Sequence, residues 1–135
     1  MKKKITTIMV VIAMFCMMSI SAIAATNITI ELPENQVWTA GIPLTRSGAY
    51  NYVTVNVGSV YPKNSPNDNY KKLQARLTNN NGYVVSADNY VVIEEGTGNK
   101  NINLKDGFAN TNPVNLQFRG NSSAGAMATV SYYAN

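Results

Sequence analysis

After residue 26 apolar and polar positions alternate with a period of two along most of the chain, which is the pattern of half-buried strands. In Asn27–Leu32 the residues Ile28, Ile30 and Leu32 share a face, and Pro33, which cannot donate to a ladder, ends the run. Gln36–Thr39 is a short second candidate. Ala49–Val57 is the clearest long strand: Val53, Val55 and Val57 face one way, and Tyr50, Tyr52, Thr54 and Asn56 face the other. Gly58–Asn69, with Pro62, Pro66 and several asparagines, is predicted as a loop long enough to be functional or mobile.

Lys72–Thr78 resumes the alternation with Leu73, Ala75 and Leu77 inward. Asn79-Asn80-Asn81-Gly82 predicts a hairpin turn, because Asn-Gly accepts positive φ at both central positions, and Tyr83–Ser86 is its expected return strand. Tyr90–Glu94, Lys100–Leu104, Pro113–Arg119 and Ala126–Tyr133 complete the set. In Pro113–Arg119, Val114, Leu116 and Phe118 lie on one face and Asn115, Gln117 and Arg119 on the other. No segment sustains a helical period. About 7–9 short strands separated by turn signals predict an all-β fold, an antiparallel two-sheet sandwich, with a small closed β-barrel as the alternative.

The N-terminus follows a different pattern. Met1-Lys2-Lys3-Lys4 is basic, Ile8–Ile20 is almost wholly apolar, and Ala22-Ile23-Ala24 is a small-x-small cleavage site. This is the layout of a helical secretory signal peptide, residues 1–24, cut after Ala24 and followed by a single secreted domain over 25–135. The apolar core is shorter than the ~20 residues of a spanning helix, so no stable membrane insertion is expected after cleavage. The expected location is extracellular.

Removing the leader changes the charge. Three of the eleven basic residues go with it, leaving eight against seven acidic ones. Nucleic acid, which calls for a basic patch, is therefore not an expected partner. Cys16 also goes, and the chain has no histidine. Ser-His-Asp hydrolysis, Cys-His proteolysis and Cys/His zinc sites are thereby excluded. Glu94 and Glu95 are adjacent, so on a strand they point to opposite faces and cannot flank one glycosidic bond. Gly96-Thr97-Gly98 lacks the spacing and the helix of a phosphate loop. Asn67-Asp68-Asn69 has neither the glycine nor the acid that an EF-hand needs, which leaves only a non-EF calcium site at Asp68 open. No enzyme activity, cofactor or metal centre is predicted.

Binding chemistry is better represented. An exposed Tyr-x-Tyr on a sheet can stack on a sugar ring or anchor a protein, the structural alternative being cross-strand packing. Tyr50, Tyr52 and Arg119 are the candidate contact residues. Trp38 is expected in the core, and Tyr132 and Tyr133 on opposite faces.

The basic leader, Asn35-Gln36, Tyr50-Asn51-Tyr52-Val53, Phe118-Arg119-Gly120-Asn121 and Ser131-Tyr132-Tyr133 resemble small secreted β-sandwich proteins of Gram-positive bacteria that have no assigned function. A more distant resemblance is to lactococcin-type bacteriocins. The resemblance implies a non-enzymatic exported protein acting at or near a cell envelope, on an envelope component or another protein. It transfers no functional residue. Two other roles fit the sequence: a self-assembling surface or matrix subunit, pairing through Gly120–Ala128 and the tail, and an inhibitor of a secreted enzyme, inserting Gly58–Asn69. Oligomeric state is open.

Overall fold

The computed structural model describes residues 24–48, 50–63 and 70–134. The predicted leader, apart from Ala24, and the Asp68 segment lie outside the described residues. The strands are β1 (Ala24–Leu32), β2 (Ile42–Leu44), β3 (Tyr52–Pro62), β4 (Lys72–Thr78), β5 (Val91–Glu94), β6 (Asn99–Asn103), β7 (Val114–Gly120) and β8 (Ala126–Ala134). They form two antiparallel four-stranded sheets, ordered β1-β8-β3-β6 and β2-β7-β4-β5. The predicted sandwich is thus the architecture. The barrel alternative is not, because among the described residues no strand ladder joins one sheet to the other.

The core lies between the sheets. Val53, Val55 and Val57 of β3 and Val130 and Tyr132 of β8 are buried together with Leu73, Ala75 and Leu77 of β4 and Val114, Leu116 and Phe118 of β7. Each large side chain of this kind contributes about 1.5–3 kcal/mol on burial.

Three elements depart from the alternation. First, β3 continues to Pro62, through what reads as the start of a loop. A bulge between Val57 and Ser59 resets the pleat, so Val57 and Val60 both point inward although they are three positions apart. Second, Gln36–Thr39 is not a strand. Glu34–Gln36 forms a 3-10 turn in which Asn35 and Gln36 take positive φ. The strand comes later, as β2, where three residues around Pro43 are too few for periodicity to reveal. Third, Tyr83–Ser86 makes only single bridges, Thr78 with Val84 and Ser86 with Leu104. A turn forms at the predicted place but not with the predicted backbone: Gly82 alone takes positive φ and Asn81 does not, while Asn79 Oδ1 accepts from the backbone N–H of Asn81 and Tyr83. The chain then passes from one sheet to the other and buries Val85 at that end of the core.

Arg46 ties the segment before β3 to the loop before β7. It is 4% exposed. Its Nη1 donates to the carbonyls of Ala109 (2.9 Å) and Thr111 (3.0 Å), and its Nη2 donates to that of Tyr50. Asn112 closes the clamp: its Oδ1 accepts from the Arg46 N–H at 2.9 Å, and its Nδ2 donates to the Arg46 carbonyl at 3.0 Å.

Every sheet edge carries a feature that discourages pairing with another chain. On β1 these are the bulge at Asn27 and the charge of Glu31. On β2 it is Pro43, on β5 a length of four residues ending in Glu94, and on β6 Lys100.

Candidate functional site

On the outer face of the β2-β7-β4-β5 sheet, the same tripeptide pattern occurs twice. Gln74-Ala75-Arg76 lies on β4 and Gln117-Phe118-Arg119 on β7. In both, the central apolar residue is in the core and the polar pair points outward. The antiparallel register sets Gln74 opposite Arg119 and Arg76 opposite Gln117. Each guanidinium therefore meets the other strand's glutamine. Arg119 Nε donates to Gln74 Oε1 at 2.6 Å, and Arg76 Nε donates to Gln117 Oε1 at 2.9 Å. The glutamines are held in turn, Gln74 Nε2 donating to Asn121 Oδ1 at 2.8 Å and Gln117 Nε2 to the Thr39 carbonyl at 3.2 Å.

Thr39 also brings in the aromatic part. Its N–H donates to the Phe118 carbonyl at 2.8 Å, and its Oγ1 accepts from the Phe118 N–H at 3.0 Å. These bonds hold the segment along β7 and set Trp38 on the outer face. Arg76 Cζ lies 4.1 Å from the Trp38 ring centroid and Arg119 Cζ 4.4 Å from it. Arg119 also lies 5.0 Å from the Tyr90 ring, and the Trp38 and Tyr90 centroids are 6.4 Å apart. At partly exposed sites, such cation–π contacts are worth about 0.5–1 kcal/mol each.

Among the described residues no carboxylate pairs with either arginine. The ion pairs of the described residues are Lys63–Glu31, Lys71–Glu95 and Lys72–Glu94. Desolvation, and then the charge of Arg119, push the Arg76 pKa below its ordinary value. A guanidinium nevertheless stays protonated in proteins, so both remain cations. Neither Arg76 nor Arg119 has a protein hydrogen bond from its Nη groups among the described residues. No enclosed cavity and no cluster of three metal-ligating side chains is found among the described residues. The arrangement offers fixed positive charge beside flat aromatic surface on an open face. It holds no group poised for proton transfer.

The opposite outer face is uncharged along its centre. Tyr50 and Tyr52 pack at 5.4 Å between centroids, and Tyr50 is 56% exposed. Below them Thr54 Oγ1 donates to Asn101 Oδ1 at 2.9 Å and Asn56 Nδ2 to Asn99 Oδ1 at 3.2 Å. Thr54 shares the tyrosines' face, as the alternation predicts, but it is only 1% exposed, a short side chain set between Tyr133 and Asn101 on the flanking strands. Tyr132 is buried and Tyr133 is exposed.

The three predicted contact residues are therefore not brought together. Tyr50 and Tyr52 belong to one sheet face and Arg119 to the other. Trp38, expected in the core, is half-buried on the outside. Arg76, Tyr90, Gln74 and Gln117, which the sequence reading passed over, complete the constellation around Arg119. The repeated Gln-x-Arg on two alternating strands is the signal that could have found them. No family model, curated protein or solved structure matches the chain.

Proposed function

We propose that this is a secreted, non-enzymatic binding protein that acts at the cell envelope, with Trp38, Arg76, Tyr90 and Arg119 as its contact surface. One observation carries the reading: two arginines are held against a single indole by neutral glutamines, with no carboxylate among the described residues paired to either. Clustered Trp, Tyr and Arg side chains are the types that dominate binding energy at protein surfaces. The signal-peptide layout of residues 1–24 supports export. A bacteriocin-like action is the more specific form of this role.

The assembly reading has less support. Ala126–Tyr133 lies within β8, between β1 and β3, so both of its edges are already paired. The inhibitor reading rests on a loop whose first residues belong to β3 and of whose remainder only Lys63 is described, residues 64–69 lying outside the described residues.

The test is co-sedimentation of the purified protein with washed bacterial envelopes. Binding is expected to saturate, and to be lost in a Trp38→Ala, Arg119→Ala double variant that keeps its circular dichroism spectrum. A double variant that binds like the parent sinks the assignment of this face. If Tyr50→Ala with Tyr52→Ala abolishes binding instead, the contact surface is the other sheet. A killing assay on sensitive cells then separates a bacteriocin-like role from simple adhesion.

A further inference from the structure

We infer that the face around Trp38 recognises oxyanions carried on a carbohydrate or polyol polymer, phosphate or carboxylate groups, rather than neutral sugar. The inference rests on the binding role proposed above and names the chemistry of its ligand.

The argument starts from how each guanidinium uses its donors. Among the described residues Arg76 and Arg119 each hydrogen-bond to the protein through Nε alone, and each does so to an anchored glutamine. The planar fork is thereby fixed in orientation while both terminal amino groups are left for something else. Such a fork matches the paired oxygens of a carboxylate or phosphate, and ordering it in advance reduces what is lost on binding. Charge points the same way. Two cations share one aromatic ring, and among the described residues no acidic side chain pairs with either. An oxyanion placed between them relieves their mutual repulsion, whereas a neutral hydroxyl leaves it in place.

The shape of the site selects a chain over a small molecule. Among the described residues the face is open, without a cavity to enclose a free anion. The flat sides of Trp38 and Tyr90, 6.4 Å between centroids, offer stacking surface next to the charge. Repeating units that alternate an apolar ring or polyol face with an anionic group suit that juxtaposition.

Trp38 is the only tryptophan in the chain, so intrinsic fluorescence reports on this face directly. The purified protein is titrated with poly(glycerol phosphate), with polygalacturonate and with dextran as the neutral probe, at low and at high ionic strength. A saturable change in Trp38 emission with at least one anionic polymer is expected, weakened severalfold by salt, with none from dextran. The phosphate and carboxylate arms show which oxyanion is preferred. Arg76→Gln with Arg119→Gln should abolish the response, and Arg76→Lys with Arg119→Lys should retain part of it, since charge remains but the fork does not. An equal response to dextran overturns the inference. So does silence from both anionic polymers in a preparation that still sediments with envelopes, which leaves the binding role standing. A response to anionic polymer without envelope binding does the reverse: the oxyanion chemistry holds and the envelope role falls.

Discussion

Arg46 and the pair Arg76–Arg119 are the three arginines of the chain, and among the described residues none of them pairs with a carboxylate. They are used in opposite ways. Arg46 is buried and spends its terminal amino groups on the carbonyls of Tyr50, Ala109 and Thr111, while its Nε has no partner. Arg76 and Arg119 spend Nε and keep their terminal groups. The first arrangement fixes backbone and leaves no room for a ligand. The second fixes the guanidinium itself and leaves its most versatile donors facing solvent. Which nitrogen is committed thus separates a strut from a proposed contact, although none of the three has an ion-pair partner among the described residues.

The largest effect is expected at Arg46. Arg46→Met removes the donors of three backbone carbonyls, and the stability loss should be about 3 kcal/mol, partly offset because a buried charge goes too. Urea unfolding measures it, and envelope binding per folded molecule should not change. A variant as stable as the parent would remove the distinction between the two kinds of arginine.

The pair should behave in the opposite sense. Arg76→Gln with Arg119→Gln should move stability by no more than about 1 kcal/mol, since partly exposed cation–π contacts are lost while like-charge repulsion is relieved. Thermal unfolding checks this. A large drop in melting temperature would make the two arginines structural after all.

The smallest effect concerns pH. Burial raises the pKa of Tyr132, so the folded state favours the neutral phenol. Its contribution to stability is complete below the ordinary tyrosine value of about 10 and is lost as pH rises through the higher folded value. Unfolding midpoints should therefore fall above about pH 10 while Trp38 emission still responds to ligand in whatever fraction remains folded. Across the histidine range, about pH 5–8, stability should show no histidine-like step, because the chain has no histidine.

The strands with a buried face were legible because alternation is a direct image of the pleat. Val53, Val55 and Val57, and Val114, Leu116 and Phe118, are inside as the pattern requires. What escaped were features that break or lie beneath that period. The bulge at Val57–Ser59 shifts phase in mid-strand, and β2 is three residues long. Trp38 reads as core because a large apolar residue in a short run usually is. What sets it outside is the attachment of Thr39 to the Phe118 backbone, a long-range contact that no local pattern encodes. The site lay one step further away. Both Gln-x-Arg segments stand in plain view, but their meaning depends on a register that only strand pairing supplies.

That register has a geometric consequence. Gln-x-Arg set antiparallel against Gln-x-Arg is self-complementary, so the backbone and the four polar side chains are related by a local twofold axis normal to the sheet. A polymer laid across them meets arginine and glutamine in the same order from either end. The surroundings break that symmetry: Gln74 is held by Asn121 and Gln117 by the Thr39 carbonyl, and Trp38 and Tyr90 come from outside the two strands. The quartet by itself is therefore blind to the direction of any polymer laid on it, and a sense of direction would have to come from the groups around it.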